Sequence, residues 1–102
     1  MVEINFDKLD RTLVLAELSC NHLQSFDIAV RTIEAMKKAG ADVVKVQNDN
    51  PDGGITIDCD NEYFQIGGGT LWDGKTLNKL YKETYTPWEW LPKLQKVAHD
   101  LD

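Results

Sequence analysis

Two short apolar runs with an amphipathic helical pattern between them constrain this chain more than any other feature. Thr12-Leu13-Val14-Leu15-Ala16 is too short for a helix and suits a buried strand. Ser25 reads as an N-cap, and behind it Phe26, Ala29, Val30, Ile33 and Met36 recur at helical spacing. The opposite face carries Asp27 with Arg31 and Glu34 with Lys38, both acid-first i,i+4 pairs. Gly40 stands where a C′ glycine ends a helix, and Asp42-Val43-Val44-Lys45-Val46-Gln47 reads as a second strand. Strand, helix and strand within roughly 35 residues make a βαβ unit, with parallel strands and a right-handed crossover. Near-continuous apolar strands suit a sheet covered on both faces.

Beyond this unit the pattern loosens. Residues 48–72 form a long irregular connection with turn chemistry at Asn50-Pro51-Asp52-Gly53-Gly54 and at Gly67-Gly68-Gly69. Ile55-Thr56-Ile57 and Tyr63-Phe64-Gln65-Ile66 are expected to form a hairpin inside it. A connection this long in a compact domain is usually functional. Asp73 is expected to cap a short helix through Leu77, Leu80 and Tyr81. Thr86-Pro87-Trp88-Glu89 reads as a capping box with Pro at N1. The last helix carries Leu91, Leu94, Val97, Ala98 and Leu101 on one face, and Pro92 is expected to kink its first turns. The order is β-α-β, a long loop with a short helix, then α, with no third strand before Asp102. Two parallel strands do not make a self-sufficient sheet. Residues 1–102 therefore read as a single partial domain, the opening portion of a larger α/β protein.

Charge narrows the function classes. The 102 residues hold 11 Lys plus Arg against 17 Asp plus Glu, a net charge of −6. A nucleic-acid binder needs a basic face for counterion release, and docking on anionic lipid needs one too. No apolar run is long enough to span a bilayer. The acidic N-terminus lacks the basic-then-apolar order of a signal peptide. Cys20 and Cys59 sit in no metal-type spacing and suit reduced thiols in a cytoplasm.

In parallel α/β folds the chemistry lies at the carboxyl ends of the strands. Alternation puts Leu13, Leu15 and Glu17 on one face of the first strand, with Val14 and Ala16 on the other. On the second strand Val43, Lys45 and Gln47 share a face opposite Val44 and Val46. If the all-apolar faces meet helices, Glu17, Lys45 and Gln47 point into a barrel or cleft. There the acid and the lysine either pair with each other or hold a polar substrate. His22 and Asn21 suit a turn or cap as well as a ligand. Cys20 reads as a small buried residue, since no basic partner is implied. Gly67-Gly68-Gly69 lacks both GxGxxG context and a P-loop lysine. Trp72, Trp88, Trp90, Tyr81 and Tyr85 suit core packing at helix ends, or stacking on a sugar.

Three segments carry a family resemblance: 15–22 (LAELSCNH), 39–47 (AGADVVKVQ), and 68–74 (GGTLWDG) with Leu80-Tyr81 and 85–90 (YTPWEW). The first two resemble the start of the sialic acid synthase family. The Trp-rich segment resembles its pseudaminic acid synthase branch. The resemblance covers the chain from about Leu13 onward. It implies a (β/α)₈ TIM barrel, typically about 250 residues, of which this chain supplies the opening βαβα portion with a long β2–α2 loop. It also implies condensation of phosphoenolpyruvate with an N-acetylated amino sugar, releasing phosphate. Residue by residue, it gives Glu17 a catalytic place against the sugar, Lys45 the phosphoenolpyruvate phosphate or carboxylate, and Gln47 a sugar contact. Asn21 and His22 belong to the same substrate-binding motif. The divalent metal the resemblance implies, Mn or Mg, is held by histidines beyond Asp102, so no metal ligand is expected here. A cytoplasmic homo-oligomer, a dimer, is implied for the complete enzyme, with the isolated fragment inactive. The pattern commonly has Thr, Lys and His where Asn48, Gly67 and Leu91 stand. A stand-alone, non-catalytic αβ module binding a sugar or a protein partner is the competing reading. A keto-deoxy sugar phosphate synthase is a third, against which the Trp-rich segment argues.

Overall fold

The computed structural model describes residues 4–54 and 56–102. After a 3₁₀ turn at Phe6–Lys8, strand β1 (Leu15–Ser19) leads to helix α1 (Phe26–Lys38) and strand β2 (Val43–Val46). Helix α2 (Leu77–Thr84) follows, then a 3₁₀ turn at Trp88–Trp90 that runs into helix α3 (Leu91–Asp100). β1 and β2 pair in parallel, with Leu15 opposite Val43, Ala16 opposite Val44 and Glu17 opposite Lys45. The expected βαβ unit is therefore present.

Local chemistry sets the ends of α1. The Ser25 hydroxyl accepts from the Ile28 N–H at 3.4 Å. At the other end Gly40, with φ +91°, donates its N–H to the Lys37 carbonyl, and Ala41 donates to that of Met36. These are the two bonds of a Schellman cap, which satisfies carbonyls the helix leaves open.

β1 runs three residues later than the apolar run Thr12–Ala16 implied. Asp42 sets its start: its carboxylate accepts from the Val14 N–H at 2.8 Å and from both Arg11 guanidinium nitrogens, and Val14 is left outside the ladder. The Arg11 guanidinium beside Asp42 holds that carboxyl well below the usual carboxylate range, with the Val14 N–H adding to the effect. Burial extends the far end. Leu18 is only 1% exposed and carries the strand past the charge of Glu17 into the core with Ala29, Ile33 and Leu94. Val44, Val46, Phe26, Trp90 and Val97 pack around these four.

One face of the sheet thus lies on α1 and α3. The other is open among the described residues, with Leu15 half-exposed, so these residues do not supply the two-sided cover suggested by the apolar strands. The outer edges of both strands also lack ladder partners among the described residues. Unpaired strand edges and uncovered aliphatic faces drive association. The 102-residue polypeptide is therefore expected to sediment as a concentration-dependent mixture of monomer and oligomer. A monomer at every concentration, with one sharp high-temperature transition, would show that the chain closes its own core.

The segments from β2 to α3 correct four expectations. Ile55 lies outside the described residues, and residues 64–66 pair with 74–77 and not with the described residues 56–57. Gln65 bridges Thr76 antiparallel, and the Ile66 N–H donates to the Lys75 carbonyl at 2.8 Å. Positive φ at Gly68, Gly69 and Gly74 reverses the chain there. Asp73 organises this reversal and does not cap α2. Its carboxylate accepts from the Gly69 N–H, the Thr70 N–H and the Thr70 hydroxyl. Thr76 caps α2 instead, accepting from the Lys79 N–H at 3.3 Å. Pro92 does not kink α3: it occupies the first turn, where its missing N–H has no acceptor to lose. The capping box at Thr86 is also absent, because the Thr86 hydroxyl is engaged by His22 and the Ser19 carbonyl.

Candidate functional site at the strand ends

The ladder is irregular between Glu17 and Ser19: Ser19, not Leu18, faces Val46. Ser19 sits in the left-handed region at φ +53°, unusual for a residue with a side chain. Leu18 points into the core, as alternation with Glu17 requires, while Glu17 and Ser19 come together on the open side. The Ser19 hydroxyl donates to Glu17 Oε2 at 3.1 Å, and Lys45 Nζ donates to Glu17 Oε1 at 2.8 Å. Both charged side chains are half-exposed, at 50% each. Lys45 and the Ser19 hydroxyl together hold the Glu17 carboxyl below its ordinary range.

The open face thus joins Glu17 and Lys45, as alternation required. Gln47, exposed, follows directly after β2, and its N–H donates to the Ser19 carbonyl at 3.3 Å. Asn21 is exposed in the turn after β1, where its N–H donates to the Leu18 carbonyl. His22 lies elsewhere. It is fully buried, and both ring nitrogens are occupied by this chain: Nδ1 accepts from the Gln24 N–H at 3.1 Å, and Nε2 lies 2.8 Å from the Thr86 hydroxyl. In this geometry both ring nitrogens are engaged within the chain, whereas Asn21 beside it is exposed. Trp90 packs edge-on against its ring at 5.2 Å. Cys20, half-buried, donates to the Gln47 carbonyl at 3.5 Å, and burial pushes its thiol up, away from nucleophilic use.

Sequence reasoning missed Thr86. It is fully buried and bonded to residues 64 and 67 positions earlier, so no local pattern marks it. The signal available was a hydroxyl directly before a proline and an aromatic pair, which reads equally well as a helix cap.

Burial lowers the His22 imidazole below its ordinary 6.5. In the window beneath 6.5 the unfolded chain therefore binds more protons than the folded one. His22's contribution to stability is full above 6.5 and falls as the pH drops through that window. The urea midpoint is expected to fall on acidification from about pH 7.5 to about 5.5, and to fall less in His22→Gln. Equal falls in the two proteins would contradict this.

The donor set does not fit a divalent ion. Both Glu17 oxygens are taken, one of them by an ammonium, and no group of three or more His, Cys, Asp or Glu among the described residues is placed to hold a metal. Likewise, no described helix is long and apolar enough to cross a membrane. A concavity of about 590 Å³ opens against the 47–76 connection, lined by Pro51, Asp52, Asp58, Asn78 and Lys82 among others, but by none of the strand-end residues.

Fold and site together define a parallel α/β protein with an acid–lysine pair at the carboxyl ends of adjacent strands. The model of the NeuB family matches residues 32–102, a span that includes Lys45, Gln47 and Thr86, and the chain belongs to that family. It is similar to the pseudaminic acid synthases of Campylobacter jejuni subsp. jejuni serotypes O:2 and O:23/36, each 42% identical over 96 residues. Those matches cover 94% of this chain and 27% of the relatives. The pseudaminic acid synthase of Helicobacter pylori is 40% identical over 89 residues, covering 87% of this chain and 26% of that protein. The chain thus spans about a quarter of the length of the curated relatives it matches.

Proposed function

We propose that this chain forms the first two βα units of a (β/α)₈ barrel in a nonulosonic acid synthase of the pseudaminic branch. In this reading the complete enzyme condenses phosphoenolpyruvate with an N-acetylated amino sugar and releases phosphate. The observation that carries it is the Glu17–Lys45 pair, standing on the open face of the sheet at its carboxyl ends. That face, with Leu15 exposed beside it, is the one a closed barrel would turn inward.

In the reaction, C3 of phosphoenolpyruvate forms a bond to the aldehyde carbon of the open-chain sugar. Water adds at C2, and phosphate leaves by C–O cleavage. Lys45 binds a phosphate or carboxylate oxygen of phosphoenolpyruvate. Its present partner does not prevent this, because a half-exposed ion pair is weak and a more highly charged ligand displaces it. Glu17 then orients a sugar hydroxyl or the attacking water, and Gln47 contacts the sugar. Asn21, exposed in the turn after β1, extends that contact. Positioning and fixed charge supply most of the benefit. No step passes through a metal held by these residues, which do not fit one. In this reading the complete enzyme is cytoplasmic.

A chimera tests the reading. The segment of the Campylobacter jejuni enzyme that matches this chain is replaced by this chain, and phosphate release from phosphoenolpyruvate is followed with and without the amino sugar. Sugar-dependent release is expected from the chimera and none from the 102-residue chain alone. A folded chimera without activity, or an active isolated chain, would contradict it.

A further inference from the structure

Hydrogen bonds lead from the buried turn to the Ser19 carbonyl, and the Ser19 hydroxyl leads on to the Glu17 carboxylate. Gln24 N–H donates to His22 Nδ1, so in the neutral ring the proton sits on Nε2 and is donated to the Thr86 hydroxyl oxygen at 2.8 Å. That leaves the Thr86 O–H free to donate, and the Ser19 carbonyl stands 3.5 Å away. The same carbonyl accepts the Gln47 N–H at 3.3 Å. Ser19, held from its carbonyl side, turns its hydroxyl onto Glu17 Oε2 at 3.1 Å. A parallel tie runs from Gln24 Nε2 to the Tyr85 carbonyl at 2.8 Å. Trp90 closes the site with its edge toward His22 and toward Phe26, with ring centres 5.2 and 5.4 Å apart respectively.

A serine does not stay at φ +53° without support. Its own hydroxyl goes to Glu17, so its backbone must be fixed from outside β1. Among the described residues, Thr86 is the side chain that reaches it from across the core; Gln47 N–H, the other donor to its carbonyl, follows directly after β2. Thr86 and His22 are buried polar groups whose hydrogen bonds run to the Ser19 carbonyl, and Ser19 itself carries the hydroxyl that reaches the candidate catalytic acid.

We propose that Thr86 is a positioning residue for Glu17: with His22 it forms a buried tie that holds Ser19 in its left-handed conformation and keeps the Ser19 hydroxyl on the Glu17 carboxylate. The functional weight of this tie rests on the reading of Glu17 as a site residue, but its physical content does not. The carboxyl faces Lys45 from β2 and the Ser19 hydroxyl from its own strand, and Thr86 governs the second of these. The depression of the Glu17 carboxyl, to which the Ser19 hydroxyl contributes after Lys45, agrees with this arrangement.

The test is a double-mutant cycle read at the carboxyl. The Glu17 side-chain ¹³C resonance is titrated in the 102-residue chain for wild type, Thr86→Val, Ser19→Ala and the double variant. Thr86→Val is expected to shift the Glu17 titration upward, toward its ordinary range. Ser19→Ala is expected to do the same, the double variant to add nothing further, and Thr86→Ser to restore the wild-type midpoint. A Glu17 midpoint that moves in Ser19→Ala but not in Thr86→Val overturns the proposal, as does full additivity. Wild-type ¹⁵N spectra of His22 keep the test decisive if Thr86→Val does not fold. A ring protonated at Nε2 is expected, and an Nδ1–H tautomer overturns the relay. None of these readouts needs turnover, so an inactive chimera with an intact cycle refutes the enzyme reading alone.

Discussion

Lys45→Ala, placed in the complete chimeric enzyme, is expected to raise the KM for phosphoenolpyruvate by roughly 10- to 150-fold while moving the KM for the amino sugar far less. The range is the loss of one hydrogen bond to a charged group, about 1.5–3 kcal/mol. Lys45 suits that task because its side chain stands on the open face, and its present partner is a carboxylate that a phosphate can replace. Lys45→Arg is not expected to restore the loss fully, since a planar fork does not occupy the place of a compact ammonium. Steady-state kinetics with each substrate varied in turn read the split. An unchanged phosphoenolpyruvate KM would return Lys45 to a structural partner of Glu17.

Leu18→Ala is expected to cost the folded chain about 2–5 kcal/mol, the range for truncating a buried leucine. Leu18 is 1% exposed and is the β1 residue in a core whose other fully buried apolar members are Ala29, Ile33 and Leu94. A small domain holds only about 5–15 kcal/mol in total, so this change takes a large share of it. Leu15→Ala, three positions earlier on the open face, is expected to cost much less in the isolated chain. Urea midpoints at a constant slope compare the two. A larger loss for Leu15→Ala would mean that the faces of β1 are exchanged, as a one-residue slip would make them.

The sequence was most legible where structure is local. Ser25 and Gly40 mark the ends of α1 because their bonds reach only a few residues. Strand parity was also legible: Glu17 and Lys45 share a face and meet across the ladder, a consequence of the two-residue period alone. The extent of β1 was not. Glu17 reads as the polar end of an apolar run, whereas Leu18 beyond it is held by α1 and α3, which no window around β1 contains. Residues 64–66 were paired with the wrong partner because β-like composition does not say which segment lies alongside, and here Asp73 and the glycines decide it. The dual use of Thr86 and His22 was the least legible. Both residue types fit local roles as cap and turn, and their actual bond spans 64 positions.

The most direct measurement on the central claim is a crystal structure of the chimeric enzyme with phosphoenolpyruvate bound. The account places Lys45 Nζ within hydrogen-bond distance of a phosphate or carboxylate oxygen of the ligand, released from Glu17 Oε1, with the Glu17 carboxylate still held by Ser19 and facing the space for the sugar. A structure in which phosphoenolpyruvate lies elsewhere and Lys45 remains on Glu17 would contradict it.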